Sequence, residues 1–197
     1  MAAAHSTSAA LQGDRSLPTS HGENRRQSLT IRPVPAELAA SSHPSSPTDL
    51  DPAVVQSYFE AIGQNNSEQV RGLLSNHRSL AIARARGNYR FDRAVELQAF
   101  KCLGAYLGAL TGLQLAILLG HTGVALDIID VSFDQELLDQ TFGDRNTTLH
   151  LAVLLGDMEA TKALLERGAN RNTKNAKGFT AVDLANHPDV ADLLSSQ

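Results

Sequence analysis

The chain has 197 residues, 42% of them apolar, and a formal net charge of −4. That length suits one domain of ordinary size and a tail, and the mild negative charge excludes a general pull of the whole chain on nucleic acid or anionic membrane. The one cysteine, Cys102, excludes an internal disulfide and a cysteine-based zinc site, and no apolar run reaches the roughly 18 to 20 residues a membrane span needs.

Residues 1–52 are rich in Ser, Ala, Pro and His and poor in large apolar side chains. Such a stretch cannot bury enough surface to offset the entropy of ordering, so a disordered tail is expected. It has no basic start and no continuous apolar core, which argues against a signal peptide. Asp14 and Glu23 argue against reading the Ala/Ser-rich start as a transit peptide. Arg25-Arg26-Gln27-Ser28-Leu29 resembles the target pattern of basophilic kinases, and phosphate on Ser28 would add about −2 charge beside two arginines. The competing explanation is chance, since such patterns arise often in Ser- and Arg-containing tails.

From Ala53 to Asn76 the residues Val54, Val55, Tyr58, Phe59 and Ile62 recur at helical spacing after Asp51-Pro52. Gly63 to Asn66 makes a turn. A second helix follows from Ser67, read as its N-cap, to Leu73-Leu74. Residues 78–110 interrupt this regularity. Ala81 to Phe91 alternates, with Gly87-Asn88 in the middle, which suits a local hairpin with a type II′ turn. Asp92 to Leu110 then reads as a helix on which Phe100, Leu103, Leu107 and Leu110 share a face, with Gly104 and Gly108 allowing close approach to a neighbour. A single longer helix from Ser79 is the alternative, as is a further degenerate repeat.

Leu113 to Ile129 brings back a pair of short apolar helices split by Gly120-His121. Phe133, Leu137, Leu138 and Phe142 suggest a short helical turn in the connection. Thr147 to Asn172 repeats the pattern: the turn Gly143-Asp144-Arg145-Asn146, then Thr147-Thr148-Leu149-His150-Leu151-Ala152, a stop at Gly156-Asp157, and a second run ending at Gly168. Each helix is about two turns long and marginal alone, so the unit must stack on copies of itself. The copies are there. Thr180 and Val182 stand 33 residues after Thr147 and Leu149, and Leu113-Gln114-Leu115-Ala116 stands 36 before Leu149-His150-Leu151-Ala152. After a shortened turn at Asn186 to Asp189, Val190 to Leu194 makes a last helix.

A period of about 33 residues built of a turn and two helices is that of ankyrin repeats. The sequence resembles that family, best from Thr147 to Asn172. Thr148-Leu149-His150-Leu151-Ala152 corresponds to T-P-L-H-x-A, with Thr where Pro is usual, and Leu164-Leu165-Glu166-Arg167-Gly168-Ala169-Asn170 is similar to the L-L-x-x-G-A-D/N ending. The resemblance implies an all-α solenoid of about four helical hairpins over 53–197, with repeats near 53–76, 111–143, 144–176 and 177–197 and an insertion near 78–110. It implies that His150, and Gln114 in its place one repeat earlier, bridge adjacent turns as structural groups. It also implies non-enzymatic protein binding through a concave face and finger turns, with no cofactor and no metal.

Nothing in the residue pattern points to catalysis. None of the seven histidines has a Cys or carboxylate at metal-ligand spacing. No phosphate-binding glycine loop or nucleophile elbow is present. Charge is more informative. Arg71 to Lys101 carries a net +5, and Asp127 to Glu159 a net −7. Arg84, Arg86, Arg90 and Arg145 are therefore candidate partner-binding cations, and Leu118 and Leu154, in successive repeats, a candidate apolar docking strip; the competing explanations are solvated faces with the basic hairpin docked on its own acidic neighbour, and leucines buried against the extra helix. The expected partner is another protein, bound by a chain that is monomeric on its own in the cytoplasm or nucleus, without nucleic acid or membrane. A regulatory subunit controlled through Ser28 and nucleic-acid binding through the Arg84–Arg93 finger are the competing readings.

Overall fold

Asp51 opens the first helix because its carboxylate accepts the Ala53 N–H at 2.9 Å and Pro52 presets the helical φ of the first turn. The structure is a computed structural model, and it describes residues 50–131, 137, 138 and 140–195. Residues 1–49 of the expected tail, Ser28 among them, lie outside the described residues, as does Phe133. All described residues belong to one unit, Ile31–Gln197.

The described chain is mostly helical. Helices α1 (Pro52–Gly63) and α2 (Ser67–Asn76) pack together, as do α4 (Gly112–Leu119) and α5 (Thr122–Val131), and α6 (Thr148–Leu155) and α7 (Met158–Glu166). The first members form one row, α1 on α4 and α4 on α6. The second members form another, α2 on α5, α5 on α7, and α7 on α8 (Pro188–Ser195). The rows close over a shared apolar core in which Tyr58, Ile62, Leu115, Ile128, Leu151 and Leu164 are fully buried. Each such Leu or Ile side chain contributes roughly 1.5–3 kcal/mol of burial, which is how helices of eight to twelve residues persist when none would in isolation.

Local chemistry sets the bounds of α4 and α6. Thr111 accepts the Gln114 N–H while Gln114 Oε1 accepts the Thr111 N–H, and Thr147 and His150 do the same. These are capping boxes; Gln114 is one of the usual partners, and His150 puts an imidazole in that place. Gly120 and Gly156 end the two helices in the left-handed region, both at φ 68, a conformation that costs a side-chain-bearing residue energy.

The insertion departs from its sequence reading. Residues 81–91 form no local hairpin. Instead β1 (Arg84–Arg86) pairs antiparallel with β2 (Ala109–Thr111), Arg84 opposite Thr111, across the length of the insertion. The helix α3 (Arg93–Cys102) stops well short of Leu110: Gly104 lies at φ 98, and the chain returns to extended backbone at Ala109. Phe100 therefore does not share a buried face with Leu103, Leu107 and Leu110; those three are buried while Phe100 is 59% exposed. Gly104 and Gly108 both serve in loop backbone at positive φ rather than in a helix contact. Two smaller corrections concern ends of elements. The N-cap of α2 is Asn66, whose side chain accepts the Gln69 N–H, not Ser67. The last unit has a short 3-10 turn, Val182–Leu184, in place of a first helix.

Candidate partner-binding surface

Turns connect the helical hairpins. In one of them β3 (Thr141–Phe142) pairs with β4 (Asn146–Thr147), and Arg145 sits at the tip, exposed, at φ 60. The turns are tied to one another. Gly143 N–H donates to Leu107 O at 3.1 Å and Ala176 N–H to Asp144 O at 2.8 Å. Beneath them runs a ladder of capping side chains. Gln114 Nε2 donates to Gln140 O at 2.9 Å and to Thr148 Oγ1 at 3.3 Å. His150 Nδ1 accepts from the Thr147 N–H, which leaves Nε2–H to donate to Phe179 O at 3.0 Å. Both residues are fully buried. Burial pushes the His150 pKa below its ordinary value, against the opposing pull of the Phe179 carbonyl and the Asp183 carboxylate. The third rung, Thr180–Asp183, repeats the cap geometry with a carboxylate. Its hydrogen bonds to Thr180 hold the Asp183 pKa below the usual range.

The inter-helix turns are linked as well. His121 Nδ1–H donates to Ile62 O at 2.8 Å, and Thr122 Oγ1–H donates to Asp157 Oδ2 at 2.9 Å.

The candidate cations divide. Arg84, though exposed, is tied to the molecule: its guanidinium donates to Ala109 O, to Thr141 O at 2.8 Å and to Gln140 Oε1 at 2.6 Å, joining the β1–β2 pair to the β3–β4 turn. It braces the two strand pairs through three neutral acceptors. Arg86, Arg90 and Arg145 are exposed and make no ion pair among the described residues. Part of the acidic stretch is matched internally, with Asp127 3.6 Å from Arg71 and Asp130 3.2 Å from Arg167. The leucine strip is not a free surface. Leu154 is buried, on a helix that α3 packs against, and Leu118 is half-buried against the core.

The inserted helix itself is held by a device the sequence reading missed. The carbonyls at a helix C-terminus have no partner within the helix. Here four in succession are met from the later turns. Lys177 Nζ donates to Phe100 O at 2.8 Å and to Lys101 O at 3.2 Å, Asn175 Nδ2 to Cys102 O at 2.8 Å, and Asn146 Nδ2 to Leu103 O at 2.8 Å. Asn175 also donates to Asn146 Oδ1, so the two amides form one buried network. Gln98 adds a bond to Asn186. Ala99 and Cys102 face inward, whereas Leu97 is 85% exposed. Tyr106, at 70%, follows on the same segment. Spacing alone could have flagged Ala94, Leu97 and Phe100 as one face, but not that this face points away from the core.

Among the described residues no group of three or more His, Cys, Asp or Glu is placed to hold a metal ion, and no described helix is long and apolar enough to cross a membrane.

Comparison with known proteins agrees with the repeat seen in the fold. The family described as "Ankyrin repeat" matches residues 144–176. A stretch of 42 residues, 21% of this chain, is 48% identical to the Danio rerio protein named "Putative palmitoyltransferase ZDHHC13", of which it spans 6%. The β3–β4 turn, the capped pair α6 and α7, and the loop that leads to the next turn lie within the matched range. Residues 144–176 of this chain are an ankyrin repeat.

Proposed function

We propose that the chain is a non-catalytic protein-binding module, an adaptor, scaffold or inhibitor, built as a stack of about four hairpins over 53–197. Ankyrin repeats are typically interaction modules, and one is present at residues 144–176. The observation that supports a binding surface on this chain is the row of braced turns. A turn fixed by Asn146, Gly143 and Arg84 loses little further entropy when its tip is captured, which favours affinity. Arg145 on the β3–β4 tip, with Arg86 and Arg90 near the neighbouring β1–β2 pair, offers the exposed cations for a partner. A single buried thiol, Cys102, fits a reducing compartment, the cytoplasm or nucleus.

The test is affinity purification with the full chain and with an Arg86→Glu, Arg90→Glu, Arg145→Glu variant. The expected result is a set of retained proteins that the variant no longer retains. An identical set from both would remove these turns from the binding surface.

A further inference from the structure

The outward face of α3 poses a physical question. Its C-terminal carbonyls are clamped by Lys177, Asn175 and Asn146, so the helix is held in place by polar bonds rather than by burial of its large apolar side chains. Leu97 and Phe100, adjacent on the surface as an i, i+3 pair, point to solvent at 85% and 59% exposure. Ala94 extends the same face by one more step and is exposed too. The helix packs through Ala99 and Cys102 and leaves its leucine and phenylalanine outside, an apolar pair open to a partner.

The charge around that face is net positive, with Glu96 the one exposed carboxylate on the helix, one turn before Phe100. Arg93 and Lys101 lie one turn to either side of Leu97, four residues away in each direction, and both are exposed. The Lys177 ammonium lies 5.6 Å from the Phe100 ring centroid. Arg93 is at the first helical position, the positive end of the helix dipole, where a cation opposes helix formation. Helix stability therefore does not explain it. A second copy meeting this face through the same face would set Arg93 and Lys101 against their own kind. Residues 1–49 carry equal numbers of basic and acidic residues and offer no complementary charge.

We infer that this face, Leu97 and Phe100 rimmed by Arg93 and Lys101, docks an acidic amphipathic helix of a partner protein. The partner's apolar stripe covers Leu97 and Phe100 while its carboxylates meet the rim, the helix-on-helix mode of recognition. The inference rests on the reading of the chain as a protein-binding module, and it concerns a surface distinct from the turn tips.

The probe is a synthetic helix-forming peptide with leucine at i, i+3, i+4 and i+7 and glutamate elsewhere, against its counterpart with lysine for glutamate. Fluorescence anisotropy with the full chain should show saturable binding of the glutamate peptide only, weakened by added salt. Leu97→Ser with Phe100→Ser should weaken it at least about tenfold. Arg93→Glu should weaken binding while leaving the melting temperature unchanged or raised, since it improves the helix end; a merely structural residue would not separate the two readouts. The turn-tip variant should still bind the glutamate peptide saturably and lose that binding on Leu97→Ser with Phe100→Ser, although its added negative charge weakens the affinity.

No saturable binding, equal binding of both peptides, or an unaffected Leu97→Ser, Phe100→Ser variant would overturn the inference. So would light scattering showing a dimer abolished by those two substitutions, or flotation with phosphatidylserine-containing vesicles abolished by them. If the peptide fails while the turn-tip substitutions still strip partners in the affinity experiment, this inference falls and the protein-binding reading stands.

Discussion

At the scale of single residues, His150 shows how one side chain serves two backbone segments. Its Nδ1 caps its own helix, and its Nε2–H holds the next turn through Phe179 O. Gln114 performs the same two tasks one repeat earlier with an amide. His150→Gln should therefore keep stability at pH 7.5 within about 1 kcal/mol of the unchanged chain, while His150→Ala, which strands the Phe179 carbonyl, should cost roughly 1–3 kcal/mol in denaturant unfolding. The two chains should also differ in pH response. The unfolded imidazole takes up its proton near 6.5, and the folded one, buried and neutral, only at lower pH. The unfolded state thus binds more protons in that interval, so this group's contribution is complete above 6.5 and is lost as pH falls below it. Urea melts from pH 7.5 to 5 should show a decline in the unchanged chain that His150→Gln reduces; parallel profiles would remove His150 as its source. Periodicity made the equivalence of His150 and Gln114 visible in the sequence, because both sit at the third position after a threonine that begins a helix.

At the scale of elements, helices α4 to α7 could be read in sequence because their signals are local: a threonine cap, apolar residues at helical spacing, a glycine stop. The insertion could not. Arg84 pairs with Thr111, and the alternation of residues 81–91 has no information about a strand that far along. The end of α3 is likewise decided from outside it, by Asn146, Asn175 and Lys177. Asn175→Ala should leave Cys102 O and Asn146 Oδ1 without a donor, and the Lys177 and Phe179 N–H groups without an acceptor, and cost at least roughly 1–3 kcal/mol. Hydrogen exchange should show where: the amides of α3 should open faster, with those of α4 and α5 changed far less. Uniform acceleration across all helices would mean the network stabilises the whole fold instead of fastening α3. Arg84→Met tests the companion brace, and should raise exchange in Ala109 to Thr111 and in Thr141 and Phe142.

At the scale of the whole molecule, stability lies in the contact between the two helical rows and not in surface charge. Leu115 is fully buried in the middle of the first row. Leu115→Ala should cost about 2–5 kcal/mol, while Leu97→Ala, removing an exposed side chain, should stay within about 0.5 kcal/mol. The ion pairs Arg71–Asp127 and Arg167–Asp130 are largely exposed on one side of each pair and are worth at most about 1 kcal/mol apiece. Raising salt should therefore leave the thermal midpoint nearly unmoved, and a large shift would show that charge, not burial, holds the stack together. The sequence by itself determined the repeat at residues 144–176, its capped helices and the roles open to His150 and Gln114, because helix caps, stops and a fixed period are written within a few residues of one another. Only the tertiary structure decided that Arg84 is a brace, that Leu154 is buried and that Leu97 and Phe100 face water. Those outcomes depend on which segment, distant in the chain, comes to lie against each of these side chains.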